Sequence, residues 1–125
     1  PSGMGWTYNL ATAKRFGGGA NLRDVWKFPI ERNNRRHPAQ KPLGMLDRIV
    51  RLITRPNDLI CDPFAGSGTT LLAARNAGRH YIGCDISADY CAIARERLAL
   101  PFTLPLFADA PAPSVAAAVQ ESFTW

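Results

Sequence analysis

The run CDPFAGSGTTLLA at residues 61–73 constrains this chain more than any other stretch. It closes a short apolar segment, Leu59-Ile60-Cys61, passes an acid at Asp62, turns on Gly66 and Gly68, and becomes helix-like from Thr69. A strand that enters a helix through a glycine turn is how open α/β sheets present backbone amides to a ligand. Two phosphate-binding versions of that turn do not fit. A dinucleotide fingerprint, G-x-G-x-x-G/A, needs a small third residue, whereas Gly66-Ser67-Gly68 is followed by Thr69-Thr70-Leu71, so its close helix-to-strand approach is expected to be lost. The P-loop pattern G-x-x-x-x-G-K-[ST] occurs nowhere. With Asp62 at the strand tip, the turn suits a ligand that carries amine or hydroxyl groups better than a phosphate.

The flanking pattern gives the turn a sheet to sit in. Leu43, Leu46, Ile49, Val50 and Ile53 recur at spacings of three and four, which predicts an amphipathic helix with Pro42 in its first turn and a stop at Pro56-Asn57-Asp58. A strand over residues 59–62 follows, then the glycine turn, a helix from Thr69 through Asn76 closed by Gly78, and a second strand over residues 80–84 ending at Asp85. Ser87 is a helix N-cap residue type, and a last helix is predicted from there to about residue 98. A strand-helix-strand unit of this length is parallel and right-handed, so Asp62 and Asp85 are expected at one edge of the sheet, beside the start of the helix between them. Asp85 is placed to accept hydrogen bonds from ribose hydroxyls. Residues 101–107, PFTLPLF, are a candidate third strand interrupted by Pro101 and Pro105, and the remaining tail is rich in Ala and Pro.

Charge divides the chain in two. Residues 1–55 hold eleven Lys and Arg against three acids, and residues 56–125 hold four against seven, within a total of +5. The basic half suits nucleic-acid phosphates, although a solvated basic surface has the same composition. Its first part, PSGMGWTYNLATAKRFGGGANL, has little periodicity and is read as loop. Cys61, Cys84 and Cys91 match no zinc spacing and are read as reduced thiols, with no metal site expected. No apolar run approaches the roughly 18 residues of a membrane span, so no membrane partner is expected and a cytoplasmic location is.

Two motifs bring in a family. Asp62-Pro63-Phe64-Ala65-Gly66-Ser67-Gly68-Thr69-Thr70 resembles the S-adenosylmethionine motif of the DNA amino-methyltransferases, and His37-Pro38-Ala39-Gln40-Lys41-Pro42 resembles their H-P-x-Q-K-P element. The second precedes the first, the order of the beta-type permutation, and Asp24-Val25-Trp26 with Phe28-Pro29 looks like the segment leading into it. The resemblance spans roughly residues 8–98. It implies a partial Rossmann-like α/β methyltransferase sheet of two or three parallel strands with flanking helices. Residues 1–36 would be a loop-rich basic segment, 37–100 the S-adenosylmethionine-binding core and 101–125 a peripheral tail.

Carried over by position, the resemblance implies that Asp62, Phe64, Gly66 and Gly68 line the methionine arm, with Ser67, Thr69 and Thr70 at the helix start. Asp85 would hold the ribose and Ile86 would flank the adenine. His37, Gln40 and Lys41 would close over the methionine end. The family's catalytic tetrapeptide, [D/S/N]-P-P-[YFW], which receives a flipped base and its amine, is not in this sequence, so no catalytic residue is assigned. The chain is therefore expected to be a cofactor-binding half whose partners are DNA and the missing N-terminal half, inactive alone and able to self-dimerise across an open sheet edge. The competing reading is a non-catalytic remnant that binds S-adenosylmethionine or nucleic acid.

Overall fold

A computed structural model describes residues 6–21, 23–29 and 40–100 of the chain. The order of elements is α1 (Leu10–Phe16), α2 (Leu43–Ile53), β1 (Leu59–Asp62), α3 (Thr69–Asn76), β2 (His80–Gly83) and α4 (Ala88–Ala99). The third-strand candidate and the tail lie outside the described residues.

One expectation is corrected. The segment read as loop contains α1, a seven-residue helix whose only buried side chain is Ala13. Helices this short have little intrinsic stability, so no periodic signal marks it. What fixes it is tertiary: the Asn9 backbone N–H donates to Leu52 O at 2.8 Å, and the Asn9 side-chain amide donates to Arg51 O at 2.6 Å and Thr54 O at 2.8 Å. Asn9 thus satisfies carbonyls left unpaired at the end of α2, a long-range cap that a local pattern does not reveal.

α2 forms over the predicted span with Pro42 just ahead of it, but its buried residues are Asp47, Val50 and Leu52, while Ile53, counted in the predicted stripe, is 54% exposed. The chain reverses through Asn57, which holds a left-handed φ of 68°, while Asp58 Oδ2 accepts the Arg55 N–H at 2.8 Å. β1 and β2 then pair in parallel, with Leu59 opposite His80 and Asp62 opposite Gly83. Six of the eight residues of α3 are buried, because the helix is wedged between α2, the sheet and α4. Val50, Ala73 and Ala77 form the centre of the core, with Leu43, Leu46 and Ile60 packed on it.

The close helix-to-strand approach is not lost, contrary to the reading of Leu71 above. It is made with the small and large partners exchanged. A Cβ on Gly83 of β2 would stand 2.7 Å from Leu71 Cδ1 and 3.1 Å from Ala65 Cβ, so the strand supplies the missing side chain and the helix supplies the leucine. On the other face of the sheet Leu59, Cys61, His80 and Ile82 are exposed, Leu59 by 66%. No described element covers them. No helix among the described residues is long and apolar enough to cross a membrane, no described cluster of His, Cys, Asp and Glu is arranged to hold a metal ion, and the three cysteines are free.

Candidate functional site

Parallel pairing brings the two strand tips to one edge, and the turn between β1 and α3 is built around their acids. Asp62 Oδ1 accepts the Phe64 N–H at 3.1 Å, an Asx-type turn that starts the reversal. Ala65 N–H then donates to Cys84 O at 2.9 Å, and Gly66 N–H to Asp85 Oδ2 at 2.8 Å. The other Asp85 oxygen, Oδ1, accepts the Ser87 N–H at 2.9 Å, at the N-cap of α4. Asp85 is therefore a strut across the loops that leave both strands. Gly66 and Gly68 take left-handed φ values of 51° and 75°, which lets the chain fold back before α3 begins.

The result is a hollow of about 470 Å³ at the N-terminus of α3. Gln40, Lys41 and Leu46 form one side, Asp62, Phe64 and Asp85 the strand-tip side, and Ala65, Gly66, Ser67, Thr69 and Thr70 the floor. Two carboxylates, one ammonium and a helix N-terminus thus meet in one space, an arrangement suited to a zwitterionic ligand with hydroxyl groups. Phe64 is 87% exposed and Ile86 92%, so both side chains are open to contact.

Not every residue named from sequence lines this space. Gly68 does not: a Cβ there would lie 2.8 Å from Ala94 Cβ, so its bareness admits α4 instead of a ligand. Ile86 stands beside Asp85 without lining the hollow. His37 lies outside the described residues. Sequence reasoning missed Arg97, whose guanidinium Nη1 donates to Ser67 O, to Ser67 Oγ at 3.0 Å and to Thr69 Oγ1 at 3.1 Å. Ser67 Oγ in turn donates to Gln40 Oε1 at 3.4 Å.

A smaller hollow of about 340 Å³ lies beside the end of α1, lined in part by Arg23, Lys27 and Trp26. Its anchor is Arg48, whose guanidinium carbon lies 4.9 Å from the Phe16 ring centre, 5.3 Å from Trp26 and 4.9 Å from Phe28. These contacts hold the 24–29 segment on α2.

The chain is similar to known DNA methyltransferases. A family profile described as DNA methylase matches residues 7–96. The type II methyltransferase M2.LlaDCHI of Lactococcus lactis subsp. cremoris is 41% identical over 95 residues, covering 73% of this chain and 35% of the relative. M2.DpnII of Streptococcus pneumoniae is also 41% identical over 95 residues, with the same two coverages. The chain thus spans about a third of the length of these curated relatives. Among solved structures, the M1.HpyAVI–SAM complex aligns with a TM-score of 0.64 at 35% identity, over 79% of this chain and 47% of that one. The PvuII cytosine-N4-specific DNA methyltransferase aligns with a TM-score of 0.63 over 73% of this chain and 35% of that one, and at 22% identity it speaks to the fold alone. With the profile spanning most of its length, and the fold a partial Rossmann-like methyltransferase sheet, the chain belongs to the DNA methylase family.

Proposed function

We propose that this chain is the S-adenosylmethionine-binding part of a DNA methyltransferase that modifies the exocyclic amine of adenine or cytosine. The observation that carries this reading is the convergence of Asp62, Asp85 and Lys41 on one hollow at the start of α3. The fit is chemical as well as spatial. The hollow is within the range of small-molecule sites, about 300–1,000 Å³, and Asp62 Oδ2 has no hydrogen-bond partner among the described residues.

In this reading Asp62 takes the cationic end of the methionine arm and Lys41 its carboxylate, assisted by the amides at the start of α3. Ser67, Thr69 and Thr70 shape the floor, and Gly66 and Gly68 let the floor turn. Asp85, at the tip of the second strand, receives the ribose hydroxyls. Phe64 and Ile86 supply apolar surface for the adenine. Gln40, with His37, closes the methionine end. When bound, the cofactor supplies an electrophilic methyl group. The chain's own residues bind and orient it and exclude water. Because the family's base-receiving tetrapeptide is not among these residues, reaction requires a polypeptide segment that carries it, and the greater length of the relatives supports such a division. The bare sheet face at Leu59 and Ile82 is a surface that segment, or a second copy, would cover. DNA is the substrate, met on the basic side of the chain in the cytoplasm.

Isothermal titration with S-adenosylmethionine tests the reading: a saturable 1:1 isotherm is expected, and none with NAD. Tight NAD binding with no heat from S-adenosylmethionine overturns it. Labelled methyl transfer to DNA is expected only after a segment carrying the tetrapeptide is added.

A further inference from the structure

Helix α4 touches the glycine turn at two points on one face, Ala94 and Arg97, which are three residues apart and so lie one turn above each other. Ala94 fills the space that Gly68 leaves open. Arg97 reaches past it to the Ser67 carbonyl, the Ser67 hydroxyl and the Thr69 hydroxyl. Arg97 is not the only group that holds α4 in place. Arg75 already fastens the end of α4, by donating to Leu98 O and to Leu100 O at 3.0 Å, and Ser87 caps its start through a hydrogen bond from the Tyr90 N–H at 3.4 Å.

The Arg97 contacts are also directional. Ser67 is only 3% exposed, and its hydroxyl accepts from Arg97 while donating to Gln40 Oε1, beside Lys41 on the far side of the hollow. Each end of that relay is a residue that lines the hollow or holds one that does. Arg97 itself does not line it.

We infer that Arg97 is a positioning residue for the cofactor crevice: from behind the turn it fixes Ser67 and Thr69, and through the Ser67 hydroxyl it sets Gln40 at the lid. The inference rests on the proposed S-adenosylmethionine site, and it deepens that reading by naming what holds the floor and the lid in register. All three bonds come from one guanidinium nitrogen, Nη1, whose two N–H groups are shared among three acceptors on two residues.

The test uses this chain and the variants Arg97→Gln, Arg97→Lys and Ser67→Ala, with two readouts. The first is the S-adenosylmethionine dissociation constant. The second is amide exchange across Gly66 to Thr70, compared with the amides of Ala77, Arg79 and His80 at the opposite end of α3. Losing charged hydrogen bonds of this kind should raise the dissociation constant of Arg97→Gln about tenfold. Turn amides should exchange faster while the distant ones keep their rates. Arg97→Lys should restore part of both effects. Ser67→Ala, which keeps the carbonyl bond and breaks the relay, should weaken binding with little change in turn exchange. Turn exchange and affinity unchanged in Arg97→Gln overturn the inference, as does faster exchange spread evenly over the chain, which marks a merely structural role. If the unmodified chain fails to bind S-adenosylmethionine, the cofactor reading falls, and turn exchange alone still decides whether Arg97 holds Ser67 and Thr69.

Discussion

The two ends of α3 are both rich in polar side chains, and they use them in opposite ways. At its C-terminal end, where α2 also finishes, Arg51 pairs with Asp47 at 2.9 Å and donates to Asn76 O at 3.1 Å. Arg79, only 9% exposed, donates through Nε to Thr54 Oγ1 at 3.0 Å, through Nη2 to Thr54 O at 2.8 Å and through Nη1 to Ala77 O. Burial, and then Arg51 nearby, pull the Arg79 pKa below its ordinary value, with Asp58 and Asp47 opposing them. Apart from Asn76 Oδ1, which is buried without a hydrogen-bond partner, the polar groups named here bind one another, and they close the structure. At the N-terminal end Asp85 holds backbone amides with both oxygens and Asp62 with one, and both side chains also line an open hollow. One end is a fastener and the other a receptor, built from the same residue types.

Arg79→Met is the strongest way to break that contrast. It strips three acceptors of a buried charged donor and should cost about 3 kcal/mol in chemical denaturation, while the chain that remains folded keeps its ligand affinity. Next in size is Gly83→Ala, which forces a methyl group against Leu71 and should cost about 2 kcal/mol. Adding Leu71→Ala to it should recover part of that loss in a double-mutant cycle, because the two residues share one space. Smaller still is a pair that separates receptor from strut. Asp62→Asn keeps an oxygen for the Phe64 N–H and should alter stability by under about 0.5 kcal/mol, yet weaken S-adenosylmethionine binding about tenfold. Asp85→Asn has a single, uncharged acceptor oxygen for the two amides of Gly66 and Ser87, so it should lose about 1 kcal/mol of stability as well as affinity. Equal stability losses in the two variants would remove the distinction drawn between them.

What was legible in the sequence was whatever local chemistry or period 3.6 writes down. The bounds of α3, the Ser87 cap and the edge shared by Asp62 and Asp85 follow from glycine, N-cap and strand-tip rules, and Gln40, Lys41, Asp62, Phe64 and Asp85 do line one hollow. What was hidden depends on partners distant in the chain. Asn9 caps a helix more than forty residues away, Arg97 reaches thirty residues back to Ser67, and α1 exists because α2 is there to receive it. Leu71 misled because the rule for close packing names a small residue on the helix, whereas the physical need is only that one of the two facing surfaces be bare. Gly68 misled in the same manner: a glycine in a binding turn faces whichever neighbour comes nearest, and here that is Ala94.

The double duty of Asp85 limits how this crevice can be altered. Since the carboxylate that would greet a sugar also keeps two loops in register, any attempt to retune ligand choice at that position disturbs the scaffold it is mounted on. Redesign toward bulkier or alternative nucleosides should begin at Phe64 and Ile86, whose side chains carry no such structural debt.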